Sequence, residues 1–201
     1  DANAILISQD KAEEAFDEGW AHSAAARLPQ AACAFEAAGR LAPGWANPHY
    51  QLGYVHLRSR RYGAAVEEFS KTEQISPGYL MVCEYLDLAR KLADGRLSFE
   101  AFHLFERAAS AESADPDTVI ALCRRALELS PEFPWVRLAL GRAYARKREY
   151  ERALHELRSA IDTHPDRSTL CNALYARASI FMARGMSEQA VRELEKVIEI
   201  N

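Results

Sequence analysis

The sequence predicts an all-α fold made of antiparallel helix pairs that repeat along the chain. Three observations carry this. Prolines set a ruler: Pro43 and Pro77 stand 34 residues apart, and so do Pro131 and Pro165. A fixed period of that size is the signature of a stacked two-helix unit. No segment sustains the period-two alternation of a half-buried strand. Ala is abundant, whereas Gly and Pro number only 9 and 8 in 201 residues, which favours helix.

Punctuation then sets the elements. Breaks fall at Leu28-Pro29, Ala42-Pro43-Gly44, Ser76-Pro77-Gly78, Asp94-Gly95, Asp115-Pro116, Ser130-Pro131 and Gly185. Between them the sequence predicts about eleven helices, over 9–26, 29–41, 47–60, 62–75, 79–93, 98–111, 116–129, 134–147, 150–163, 167–184 and 187–200. Asp115 before Pro116 reads as a cap followed by a first-turn proline.

Small and large residues recur at fixed offsets inside these units. Residues 46–79 carry His49, Leu52, Gly53 and His56, then Ala65, Phe69 and Pro77. Residues 134–167 carry Arg137, Leu140, Gly141 and Tyr144, then Ala153, Leu157, Ala160 and Pro165. Residues 12–45 carry Gly19 and His22, then Ala31, Phe35, Ala38 and Pro43, with Glu18 where a Leu is usual. From about 171 come Leu174, Ala178 and Phe181, then Ala190, Leu194 and Val197. Small residues such as Gly53 and Ala65 let two helices approach. Large ones such as Leu52 and Phe69 fill the space to the next pair, so one unit cannot bury its apolar face alone. The pattern resembles the tetratricopeptide repeat (TPR) family. The resemblance implies a right-handed superhelical solenoid whose first helices (A) line a concave, peptide-holding wall and whose second helices (B) lie outside.

The ruler fails once. Pro77 and Pro131 are 54 residues apart, a surplus of one helix and its loop over the 34-residue period, so the array is expected to be irregular in the middle. Two assignments compete. In the preferred one, 82–115 is a repeat with Tyr85, Leu88, Ala89, Leu92, Ala101, Phe105 and Ala108 at key sites, leaving an odd helix at 116–130. In the other, 98–111 pairs with 116–129 and 79–93 is extra. The expected organisation is a single array over 1–201, with repeats at about 12–45, 46–79, 82–115, 134–167 and 168–201. The last repeat's proline would fall after Asn201 and the chain opens on Asp1, so a longer protein is expected.

Composition excludes several classes. A net charge of −4, from 25 basic and 29 acidic residues, argues against a nucleic-acid binder. No apolar run approaches the roughly 20 residues that span a bilayer. Cys33, Cys83, Cys123 and Cys171 are too far apart for metal-ligand pairs and read as buried, reduced thiols, which points to the cytoplasm. Catalytic motifs such as a phosphate loop, H-E-x-x-H or G-x-S-x-G are missing, so neither enzyme activity nor a cofactor or metal is expected. His164-Pro165-Asp166 spells the J-domain tripeptide, but without the flanking helices of a J-domain it reads as the closing punctuation of a repeat.

The leading function is therefore a protein-interaction scaffold. Carried over from the family, the concave wall comprises Phe16 and Trp20, Tyr50 and Tyr54, Leu86 and Arg90, Leu138 and Arg142, and Tyr175 and Ser179, with Arg58, Trp135 and Arg146 nearby. Aromatic and Arg residues are the types enriched at binding hot spots, and Arg matches carboxylates in a bidentate manner. An acidic peptide or protein segment is thus favoured as partner over an apolar one. The Lys/Asn clamp of chaperone-binding TPRs is not expected, because Phe16, Trp20, Gln51 and Arg90 occupy the matching sites. Two alternatives stay open: a regulatory or substrate-recruiting module of a larger enzyme, and self-association through the end helices.

Overall fold

The computed structural model describes residues 2–111 and 115–200, with side chains from Ser8 onward. Among the described residues there are eleven α-helices and no strand. The chain divides into two compact units, Asp1–Arg96 and Leu97–Asn201.

The first unit holds α1 (Ala2–Ala24), α2 (Leu28–Leu41), α3 (Ala46–Arg58), α4 (Tyr62–Ile75) and α5 (Val82–Ala93). α1 packs on α2 and α3 on α4, while α5 stacks against α4 as the next A-type helix. α1 starts earlier than the sequence predicts, because no Gly or Pro interrupts the residues before Gln9. Ser8 ties α1 to the end of α2 by donating to the Leu41 carbonyl at 3.0 Å.

The second unit holds α6 (Phe99–Ala111), α7 (Pro116–Leu129), α8 (Pro134–Arg146), α9 (Tyr150–Asp162), α10 (Arg167–Ala183) and α11 (Ser187–Ile200). Its pairs are α6 with α7, α8 with α9 and α10 with α11. This corrects the preferred expectation for the middle. Residues 82–115 do not form one repeat, because α5 belongs to the first unit and α6 pairs with α7 in the second. Val82, Leu88, Ala89 and Leu92 are buried on α5, and Ala101, Phe102, Leu104 and Ala108 on α6. Each helix therefore has a full apolar face, and long-range packing decides which neighbour covers it.

One clasp recurs in three pairs, each time across 16 residues. A Cβ built on Gly19 would stand 2.6 Å from the Phe35 ring, one on Gly53 2.8 Å from the Phe69 ring, and one on Gly141 2.7 Å from Leu157. The glycines let helix B press its large side chain onto the backbone of helix A. Phe35, Phe69 and Leu157 are all but fully buried there, each worth roughly 1.5–3 kcal/mol of transfer free energy. Ala178 takes the glycine's place in the last pair. Ala31, Ala65, Ala153 and Ala190, all buried, are the small residues on the B side.

A polar clasp accompanies the apolar one. His49 Nδ1 donates to Glu68 Oε2 at 2.7 Å, and Lys71 reaches Glu68 Oε1 at 2.6 Å. Arg137 donates to Glu156 at 3.1 Å, and Arg177 lies 3.3 Å from Glu193. In each case a basic residue of helix A meets a largely buried carboxylate of helix B, as a buried charge requires.

The A–B turns repeat as well. Ala26, Arg60, Arg148 and Gly185 all have positive φ, between 56° and 72°. The amides of Arg27, Arg61, Glu149 and Met186 donate to the carbonyls of His22, His56, Tyr144 and Phe181 at about 2.9–3.0 Å. This is the six-to-one bond of a Schellman closure.

Candidate interaction surface

The expected wall residues fall into three groups. Phe16 and Trp135 are buried, which removes them from a partner-facing role. Phe16 packs against Phe35 and Trp45, with ring centroids 5.4 and 4.8 Å away. Trp135 lies between Phe105 and Phe133, and its indole N–H donates to Asp166 Oδ2 at 3.2 Å. Asp166 also accepts from the Thr169 amide at 2.7 Å and so caps α10. The His164-Pro165-Asp166 tripeptide is accordingly the stop of one repeat and the start of the next.

Tyr50, Tyr54, Arg58, Leu86, Leu138 and Arg142 are half-buried. Tyr50 and Tyr54 of α3 meet Tyr85 of α5 edge-to-face at 5.8 and 5.7 Å, and Tyr50 meets Tyr79 at 5.7 Å. Burial, then the neighbouring Tyr85, Glu84 and Tyr79, pushes the Tyr50 phenol well above its usual range. Sequence reading placed Tyr85 at a packing site and overlooked Tyr79. Arg142 of α8 donates to Asn172 Oδ1 of α10 at 3.3 Å, the contact between successive A helices in the second unit.

Trp20, Arg90, Arg146, Tyr175 and Ser179 are exposed, and Trp20 keeps 49% of its surface accessible. In the first unit the residue after the clasp glycine is Trp20 or Tyr54; in the second, after Gly141 and Ala178, it is Arg142 or Ser179. The clasp fixes the rotation of helix A, so this adjacent position is turned away from helix B.

The cysteines depart from expectation. Only Cys123 is buried, while Cys33 and Cys83 are exposed and Cys171 is intermediate, all four as free thiols. Among the described residues, no cluster of three or more His, Cys, Asp or Glu stands ready to hold a metal ion, and no helix is long and apolar enough to cross a membrane.

Sequence reading missed a second set of charges entirely. Lys147, at the end of α8, binds Asp117 in the first turn of α7. Arg184, at the end of α10, binds Glu151 in the first turn of α9 at 2.6 Å. Acidic residues at the start of B helices were the available signal.

Residues 110–178 match a tetratricopeptide repeat family model, and residues 172–201 match a second one. Tetratricopeptide repeats thus occupy residues 110–201. No curated protein matches the chain. Among solved structures, this TPR chain is similar to YrrB, described as a TPR protein with an unusual peptide-binding site, at 18% identity and a TM-score of 0.44, covering 100% of this chain and 91% of that one. It is similar to MamA from Desulfovibrio magneticus at 16% identity and a TM-score of 0.42, covering 95% of each chain. A thermophilic TPR protein of Thermus thermophilus matches at 19% identity and a TM-score of 0.42, covering 94% of this chain and 90% of that one.

Proposed function

We propose that the chain is a protein-interaction scaffold that binds extended segments of other proteins along the A-helix faces of its two units, with carboxylate-bearing segments favoured over apolar ones. One observation carries the reading. Next to the clasp position the chain places Trp20, Tyr54 and Arg142, and α5 exposes Arg90. Aromatic and guanidinium groups are the side chains that give most binding energy per residue. Arg90 is exposed and Arg142 half-buried, so both guanidiniums are reachable from solvent. A peptide carboxylate would engage them through paired N–H donors, while the aromatic rings would supply apolar contact.

An array of peptides matched in length, rich in Glu and Asp, in Ser, or in Lys, tests the proposal. The acidic set is expected to bind the wild type best and to weaken as salt is raised, since the charges are screened. An Arg90→Glu/Arg142→Glu double variant is expected to lose that preference while keeping its helicity. Equal retention of the three sets by the wild type, or an unchanged profile in the double variant, sinks it.

A further inference from the structure

The first unit gathers arginines at the end that holds its A–B turns. α1 packs on α2, α2 on α3 and α3 on α4 through short connections, so the α1–α2 and α3–α4 turns stand side by side. Arg27 lies in one turn. Arg58 ends α3, and Arg60 and Arg61 follow in the other turn. Arg27, Arg60 and Arg61 are exposed and Arg58 is half-buried.

Local stability does not ask for these side chains. Arg27 and Arg61 hold the N-cap positions of α2 and α4, and neither side chain caps its helix. Ser, Thr, Asp and Asn are favoured there, and the positive end of the helix dipole disfavours a cation. Carboxylates do not neutralise them either. The first turns of α2 and α4 hold no acidic residue. Among the described residues, Arg27, Arg58 and Arg61 form no ion pair.

The second unit follows the opposite rule. Its B helices α7, α9 and α11 each carry an acidic residue in the first turn, namely Asp117, Glu151 and Glu188. Asp117 binds Lys147, and Glu151 binds Arg184. The N-caps of α7 and α9 are Asp115 and Glu149. Cations at A-helix ends are therefore bound internally in the second unit and left open in the first. A break with local rules that brings no internal gain marks a functional surface.

We infer that the A–B turn end of the first unit docks on an anionic lipid bilayer, with Arg27, Arg58, Arg60 and Arg61 among the headgroups. The neighbouring side chains favour a bilayer over a nucleic-acid duplex. Ala26 and Leu28 flank Arg27, and the half-buried Tyr62 follows Arg61. Apolar and tyrosyl groups suit the headgroup layer, whereas residues 24–29 and 57–63 carry no Asn or Gln to read a base edge. Attraction depends on orientation, because α1 exposes Asp10, Glu13, Glu14, Asp17 and Glu18. All five lie six or more residues before the end of α1 at Ala24. That is about 9 Å or more along the axis, close to or beyond the ~10 Å screening length at 0.1 M salt. Each arginine near an anionic surface strengthens binding roughly fivefold.

Vesicle flotation of the full chain is the test, using phosphatidylcholine alone, phosphatidylcholine with phosphatidylserine, and phosphatidylcholine with phosphatidylglycerol. Flotation is expected with both anionic mixtures and not with phosphatidylcholine alone, and salt is expected to release the chain. Arg27→Asp/Arg61→Asp is expected to weaken binding at least about 25-fold. The same variant is expected to keep or raise the melting temperature, because Asp is the better cap. Loss of binding with gain of stability is a pairing that a structural role cannot produce. Arg40→Asp/Arg125→Asp changes the net charge equally at exposed sites away from the turns. It is expected to bind within about twofold of the wild type. Absence of flotation with both anionic mixtures, equal loss in the two double variants, or a melting temperature lowered by Arg27→Asp/Arg61→Asp overturns the inference. Binding to duplex DNA in place of vesicles also overturns it and assigns the turn end to nucleic acid. Arg90 and Arg142 are untouched in every variant, so the peptide-binding reading stands or falls on its own experiment.

Discussion

The Phe69 ring fills the space that a Cβ of Gly53 would occupy, with ring carbons 2.8 to 3.0 Å from that position. The same relation ties Gly141 to Leu157 and Gly19 to Phe35, so it is a rule of the fold rather than an accident of one pair.

Gly53→Ala is expected to destabilise the chain despite the better helix propensity of Ala. Overpacking costs about 1–3 kcal/mol, against a propensity gain of roughly 1 kcal/mol at most. Gly63→Ala is the control, since that Cβ meets nothing within 4 Å. It is expected to stabilise by about 0.5 kcal/mol, because Gly63 lies in the first turn of α4. Urea unfolding of both variants checks the opposite signs.

Arg148 is held at φ 59° in the α8–α9 turn, where the equivalent residue of the last pair is Gly185 at 72°. The left-handed conformation costs a non-glycine residue roughly 1–2 kcal/mol, partly offset by the extra unfolded-state freedom of Gly. Arg148→Gly is expected to raise the melting temperature by a few degrees. An unchanged or lower value in a thermal melt contradicts this.

Helix boundaries were legible because prolines, glycines and caps act locally. Ten of the eleven expected helices start and end within about three residues of the observed ones. The burial of Phe16 and Trp135 was not legible. Family position places Phe16 on the inner wall, but Trp45, from the loop before α3, covers it; no spacing rule reports a cover that comes from a loop. Trp135 is drawn inward by Phe105 and Phe133 and held by the Asp166 cap. The partner of α5 was equally hidden. Leu88, Ala89 and Leu92 satisfy an A helix, Ala101 and Ala108 satisfy the small sites of its neighbour, and Gly95 closes the helix at φ 70° as an A helix would be closed. Local pattern is satisfied by both pairings, and only long-range packing separates them.

Asp166 holds the Thr169 amide and the Trp135 indole at once. Asp166→Ala is expected to cost about 1–2 kcal/mol from the cap, with the hydrogen bond from the Trp135 indole lost in addition. Asp166→Asn should retain most of the cap. Thermal melts of the two variants side by side test the ordering.

Two pH windows follow from the buried groups. Burial, then Arg61, lowers the His56 pKa below 6.5, so the folded chain prefers neutral imidazole. Its contribution is fully present above pH 6.5 and is lost as pH falls through the folded value. Hydrogen bonds from His49 and Lys71, outweighing burial, hold Glu68 below 4.5. Its contribution is present above pH 4.5 and is lost as pH falls through the folded value. Melting temperature is expected to decline first below pH 6.5 and again below 4.5, with Glu68→Gln flattening only the second step. An imidazole resonance of His56 titrating above 6.5 refutes the first assignment.

Among the described residues, four A–B turns close on the backbone carbonyls of His22, His56, Tyr144 and Phe181, not on their side chains. Three different residue types therefore occupy one hinge without altering it. Architecture and chemistry are uncoupled at this position: a proton-sensitive ring, a phenol or a plain phenyl can be exchanged there while the bend stays the same. Acid response can thus be tuned repeat by repeat, as a setting independent of the number or stacking of the helices.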